Sequence, residues 1–194
     1  EGRSNNSAFL YSGGISYNSS ATGRQTKIHN NFIEENLLDI QDGNGVEYAY
    51  SAGVYLSSSS DSLSFKNNTV VGNTLSNDFD NGYAGGIYVN SPTYGVSIIS
   101  STISQNQGKR TGGIAYEGLG EINGCTITLN TATNQDGVGA IKSPGIVRNS
   151  IVVGNRVLHE GEIIEEATGG IWSGSNTTEF HHNNIYGNSG YDYR

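Results

Sequence analysis

A nine-residue segment returns six times in this chain, and no other feature limits the possible folds as much. Its clearest copy is Phe65-Lys66-Asn67-Asn68-Thr69-Val70-Val71-Gly72-Asn73. As a template it reads apolar, any, small or polar, Asn/Ser/Cys, any, aliphatic, any, any, Asn. Copies begin at Ile28, Phe65, Ile98, Ile122, Val147 and Phe180. Each closes on an asparagine: Asn36, Asn73, Asn106, Asn130, Asn155 and Asn188. Each also keeps an aliphatic centre: Ile33, Val70, Ile103, Ile127, Val152 and Ile185. A short unit of this kind buries its apolar side only against copies of itself, so the repeat predicts stacked coils.

A second repeat interleaves with the first. Two small residues precede an aliphatic one at Gly13-Gly14-Ile15, Ala52-Gly53-Val54, Gly85-Gly86-Ile87, Gly112-Gly113-Ile114, Gly139-Ala140-Ile141 and Gly169-Gly170-Ile171. Apolar residues follow strand period within each unit, and Gly and Asn mark the corners. The expectation is an all-β chain: a right-handed, single-stranded parallel β-helix, or solenoid, of about six coils with three short strands each. Strand one follows the small pair, strand two holds the first apolar residue of the template, and strand three holds its aliphatic centre. The fourth template position, Asn31, Asn68, Ser101, Cys125, Ser150 and Asn183, falls at the corner between strands two and three. Like side chains there are expected to bond from coil to coil as a structural ladder. Cys125 shares that slot and is read as a packed side chain, not a nucleophile.

Composition agrees with a thin core. Only 34% of the 194 residues are apolar, 28 are glycine and two are proline. One domain is expected over residues 1–194. A net charge of -8 argues against nucleic acid, which needs clustered cations. One cysteine permits no internal disulfide, and no apolar run is long enough to span a membrane. The chain begins at Glu1 and is expected to be a mature or excised part of a longer secreted protein. Neither terminus reads as a cap. Bare coil ends would favour head-to-tail self-association into a filament or surface layer.

The small-small-aliphatic and Asn-template repeats resemble right-handed parallel β-helix proteins of the pectate-lyase-like superfamily. They are most similar to secreted or surface-exposed bacterial and archaeal members. The resemblance runs from about Ala8 to Asn188 and implies a secreted or cell-surface protein with a polysaccharide or cell-surface glycan as partner. In the enzymes of that superfamily the cleft lies over the first strand, beside the loop after the third.

Alternation places Ile15, Val54, Ile87, Ile114, Ile141 and Ile171 inward on strand one and their followers outward. Those followers include Tyr55, Tyr88, Lys142 and Trp172, the only tryptophan in the chain. Flat aromatic faces with a nearby cation suit a sugar ring, so these four are the candidate carbohydrate-binding residues. The loops after strand three are acidic. Asp42, Asp78, Asp80 and Asp136 are candidate ligands for Ca2+, which takes carboxylate and carbonyl oxygens. Asp78-Phe79-Asp80-Asn81-Gly82 matches part of a calcium loop but lacks its distal glutamate. No catalytic pair stands out. The favoured reading is a non-catalytic protein acting by carbohydrate or surface binding, or by self-assembly. The alternative is a polysaccharide lyase or glycoside hydrolase using the outward face of strand one and the acidic loops. N-glycosylation sequons begin at Asn5, Asn18, Asn67 and Asn176, with Asn67 expected to be the less accessible because it lies in a template.

Overall fold

The third and eighth positions of the template adopt a left-handed backbone in every copy. The third positions are Asn30, Asn67, Ser100, Gly124, Asn149 and His182, with φ between 46° and 64°. The eighth are Glu35, Gly72, Gln105, Leu129, Gly154 and Gly187, with φ between 51° and 67°. Each left-handed residue turns the chain through a corner. Between the two corners runs strand three, only three residues long, as in Thr69–Val71 and Thr102–Ser104. The template is therefore a corner, a short strand and a second corner.

The computed structural model describes residues 8–20, 23, 25–39, 46–59, 62–76, 81–142, 145–173 and 179–194. Those residues hold strands and turns but no helix, and so no helix able to cross a membrane. Equivalent strands of successive coils pair in parallel, in about six rungs. Strand three stacks in the register Ile33–Val70–Ile103–Ile127–Val152–Ile185. Strand one stacks as Ile15–Val54–Ile87–Ile114–Ile141–Ile171. Strand two stacks from Gln25–His29 to Glu179–His181. This is the repeating architecture of a parallel β-helix. The exceptions are a local antiparallel hairpin, Arg156–His159 with Glu162–Ile163, and an antiparallel bridge between Thr168 and Gly190.

Two further stacks join the three expected. A short one follows each closing asparagine, with Leu37–Leu38, Thr74–Leu75, Gln107–Gly108, Thr131–Ala132 and Arg156–His159 paired in sequence. A lead-in stack precedes each small pair, with Ala8–Ser12, Val46–Ser51 and Asn81–Ala84 as strands and Thr111, Val138 and Thr168 as bridges. Two-residue strands carry too little alternation to be read from sequence.

The interior is a column of like side chains, including Val54, Phe65, Ile87, Ile103, Ile127 and Ile141, all without solvent exposure. The small pair has a steric cause. A Cβ on Gly86 would stand 2.6 Å from the Gly113 carbonyl oxygen of the next coil.

The closing asparagines form one continuous file. In each, the backbone N–H and the side-chain Nδ2 donate to Oδ1 of the next, as in Asn106 to Asn130 at 3.1 and 2.9 Å. Nδ2 also reaches back to a carbonyl of the preceding coil, as in Asn106 to Val70 at 3.0 Å. The fourth-position ladder holds too. Asn31 donates to Asn68 Oδ1, Asn68 N–H to Ser101 Oγ, Cys125 N–H to Ser150 Oγ, and Ser150 N–H to Asn183 Oδ1. Cys125 Sγ donates to the Ile98 carbonyl at 3.4 Å with the Ser101 backbone amide directed at it, and burial pushes its thiol up to about 11, so it stays protonated at neutral pH.

The C-terminal end differs from the sequence expectation. Residues 189–194 fold back over the last coil. Ile171 N–H donates to the Asp192 carbonyl, and Arg194 N–H to the Ile171 carbonyl. The Tyr193 ring meets Phe180 edge-on at 4.6 Å, covering the end of the apolar column. Asn67 also differs from expectation: it is exposed at its left-handed corner.

Candidate binding groove

The lead-in strand and strand one meet at the small pair, and their outer faces turn toward each other. Rings show this directly. Tyr50, on the lead-in strand, lies 5.3 Å from Tyr55 and 5.1 Å from Tyr88, both on strand one. Contact between side chains that both lie outside the core requires a re-entrant corner running along the stack.

Tyrosines fill the upper half of that corner. Tyr11, Tyr50 and Tyr83 form an outer file, stacked nearly parallel at centroid distances of 5.4 and 5.5 Å. Tyr55 and Tyr88 form an inner file, stacked at 5.9 Å. The guanidinium of Arg110 then covers the lower face of the outer file, 4.8 Å above the Tyr83 ring. The expectation for Tyr55 and Tyr88 is corrected here. They point away from the core, as alternation requires, but are only 3% and 1% exposed. Their faces are spent on one another and on Tyr50, so they offer no platform to a sugar. Burial, and then a hydrogen bond to Glu117, raise the Tyr88 hydroxyl far above its ordinary pKa.

The lower half of the corner is open. Register places Gly137 and Ala167, in the next two coils, in line with Tyr83 and Arg110. Beside them lies a groove of about 200 Å3. Its lining includes Asp136, Lys142, Glu166, Trp172 and Arg194, with Gly137 and Ala167 at its base. Lys142 pairs in register with Trp172, and its ammonium stands 5.6 Å from the indole centroid. Burial lowers the Lys142 pKa, the nearby Arg110 charge lowers it further, and Glu117 opposes both. Among the described residues, neither Lys142 Nζ nor Trp172 Nε1 has a hydrogen-bond partner.

Three candidates from sequence therefore converge: Lys142, Trp172 and Asp136 line one groove. Asp136 sits on an exposed turn, where its backbone N–H donates to Asn134 Oδ1 at 3.3 Å. The other candidate calcium ligands, Asp42, Asp78 and Asp80, lie outside the described residues. Among the described residues no group of three His, Cys, Asp or Glu side chains is placed to hold a metal ion. Sequence reasoning missed the outer tyrosine file and Arg194. A signal for the file was present, since Tyr11, Tyr50 and Tyr83 each stand two residues before a small pair.

Fold and groove together define a parallel β-solenoid with a half-filled surface corner. No family model, curated protein or solved structure matches the chain.

Proposed function

We propose that this chain is a non-catalytic secreted or cell-surface protein that binds carbohydrate in the open half of the corner. Its scaffold is a right-handed single-stranded β-helix of six coils, of the pectate-lyase-like kind. The observation that carries the reading is the pairing of Lys142 with Trp172 at the groove. An indole supplies a flat, rigid, apolar face, and the ammonium, carboxylates and Arg194 around it supply donors and acceptors for hydroxyl groups. End-to-end assembly has less support, because residues 189–194 already occupy backbone groups that a following coil would need.

The test is a glycan array followed by calorimetry on any glycan captured. Trp172→Ala is expected to weaken binding at least about tenfold, the scale of one lost stacking and burial contact. Undiminished binding by that variant removes the groove from the account. The alternative, a polysaccharide lyase or glycoside hydrolase, is tested by incubating acidic and neutral polysaccharides with the protein, with and without Ca2+. Release of unsaturated or reducing ends would replace the binding reading with a catalytic one.

A further inference from the structure

The corner is closed at both ends of the groove. Above, Arg110 lies over Tyr83 and the tyrosine files occupy the corner as far as Tyr11. Below, residue 194 is tied across the last coil: Ser173 N–H donates to the Arg194 carbonyl at 2.9 Å, and the Arg194 side chain lines the groove. Two coils separate these stops, a length of about 10 Å at the usual interstrand spacing. The volume, about 200 Å3, also falls below the 300–1,000 Å3 typical of pockets that enclose a drug-sized ligand.

We infer that the groove takes a single terminal sugar ring, the non-reducing end of a glycan, and not an internal stretch of polymer; this rests on the carbohydrate reading above. A chain lying along the axis would run into the Arg110–Tyr83 column on one side and the C-terminal residues on the other. A chain crossing the axis would bridge the two outer faces and leave the corner beneath it unfilled. A chain end has neither obstacle.

The single tryptophan lines the groove, so its fluorescence reports occupancy without a label. The probes are methyl pyranosides of glucose, galactose, mannose, N-acetylglucosamine and glucuronic acid, each against its linear tetrasaccharide. In the series that binds, glycoside and tetrasaccharide are expected to agree in Kd within about threefold, because added rings find no further subsite. Replacing only the terminal ring of the tetrasaccharide should abolish its binding. Trp172→Ala and Lys142→Gln, followed by calorimetry, confine the event to the groove. Affinity rising about tenfold or more from glycoside to tetrasaccharide, with Trp172 still required, overturns the terminal-ring inference and leaves carbohydrate binding standing. Failure of every glycoside, tetrasaccharide and array glycan to bind overturns both.

Discussion

Asn188 gives two hydrogen bonds to one oxygen, Oδ1 of Asp192: its backbone N–H at 3.1 Å and its Nδ2 at 2.7 Å. Asn155 makes the same pair to Asn188, both at 2.9 Å. Asp192 thus stands where the next asparagine of the file would stand, although it is only four residues further along the chain. The side chain that ends the ladder comes from the tail that covers the core. Two roles that a solenoid end requires, satisfying the last donors and hiding the last apolar layer, are met by one short segment.

Asp192→Ala leaves both Asn188 donors without that acceptor and should cost about 1–3 kcal/mol. Asp192→Asn keeps a carbonyl oxygen in place and should cost less than about 1 kcal/mol. Urea unfolding of the two variants beside the parent chain measures this. Equal midpoints for the alanine variant and the parent would mean that the tail does not cap the ladder.

The fourth-position ladder tolerates three residue types because each presents a small acceptor. Cys125→Ser should therefore change stability by less than about 1 kcal/mol, since Ser101 and Ser150 already fill that slot. Cys125→Val keeps the volume but leaves the Ser101 N–H without its acceptor, and should cost about 1–3 kcal/mol. In the folded protein the buried thiol should resist thiol reagents at neutral pH, and it should react once urea unfolds the coil. Rapid labelling of the native protein would contradict this placement.

Leu129 breaks the chemistry of its own corner. It is a bulky apolar side chain at φ 57°, where the five equivalent positions carry Gly72, Gly154, Gly187 or the polar Glu35 and Gln105. It is also 52% exposed, so its burial offsets little of the strain. Leu129→Gly is expected to stabilise the fold by about 1 kcal/mol, the scale of the left-handed penalty for a residue with a Cβ. A thermal or urea midpoint that falls instead would show that Leu129 packing over Gly154 outweighs the backbone term.

The repeat made the stack, the inward isoleucine and valine columns and both ladders legible, because each depends on a residue type that must recur at a fixed place. What it left hidden depends on relations between coils. Nothing in Tyr55 or Tyr88 announces burial. They are covered because Tyr50 and Tyr83, five residues earlier, fold back over them across the small pair. The alternation rule gave their direction correctly and their exposure wrongly. Trp172 and Lys142 escape the same fate because, among the described residues, no ring folds over them: the aligned residues are Gly137 and Ala167, and Ala167 packs inward against Ala132 and Val157. The C-terminal cap was hidden for another reason. Asp192 replaces an asparagine out of register, so a search at template spacing passes over it.

The tyrosine files should make stability fall in alkali. Burial raises the hydroxyl pKa of Tyr50 and Tyr88 in the files, and of Tyr116 in the interior column, in the folded state. Below about pH 10 these phenols are neutral in both states, and their contribution is fully present. Above that pH the unfolded chain releases protons that the folded one keeps, so stability is lost as pH rises. Phenolate absorbance should show a group of tyrosines that ionise only on unfolding. Tyr88→Phe retains most of the packing and should soften the alkaline fall. A full native titration of all tyrosines near pH 10 would refute the buried files.

Lys142 should behave with the opposite sign. Its folded pKa is lowered, first by burial and then by Arg110, so the charged form is what the fold disfavours. Below the folded pKa the ammonium is present in both states and the cost is complete. Above the ordinary lysine value, about 10.4, both states are neutral and the cost is gone. Lys142→Met keeps an unbranched apolar side chain and cannot titrate. The variant should therefore unfold at higher urea than the parent at pH 7, and the gap should narrow as pH approaches about 10.5. Because both proteins carry the same tyrosines, the alkaline loss from those rings cancels in the difference. The same variant should bind glycan more weakly, which would place the cost of Lys142 in the service of the groove. A gap that stays constant across that pH range would mean that Lys142 is charged at no expense to the fold.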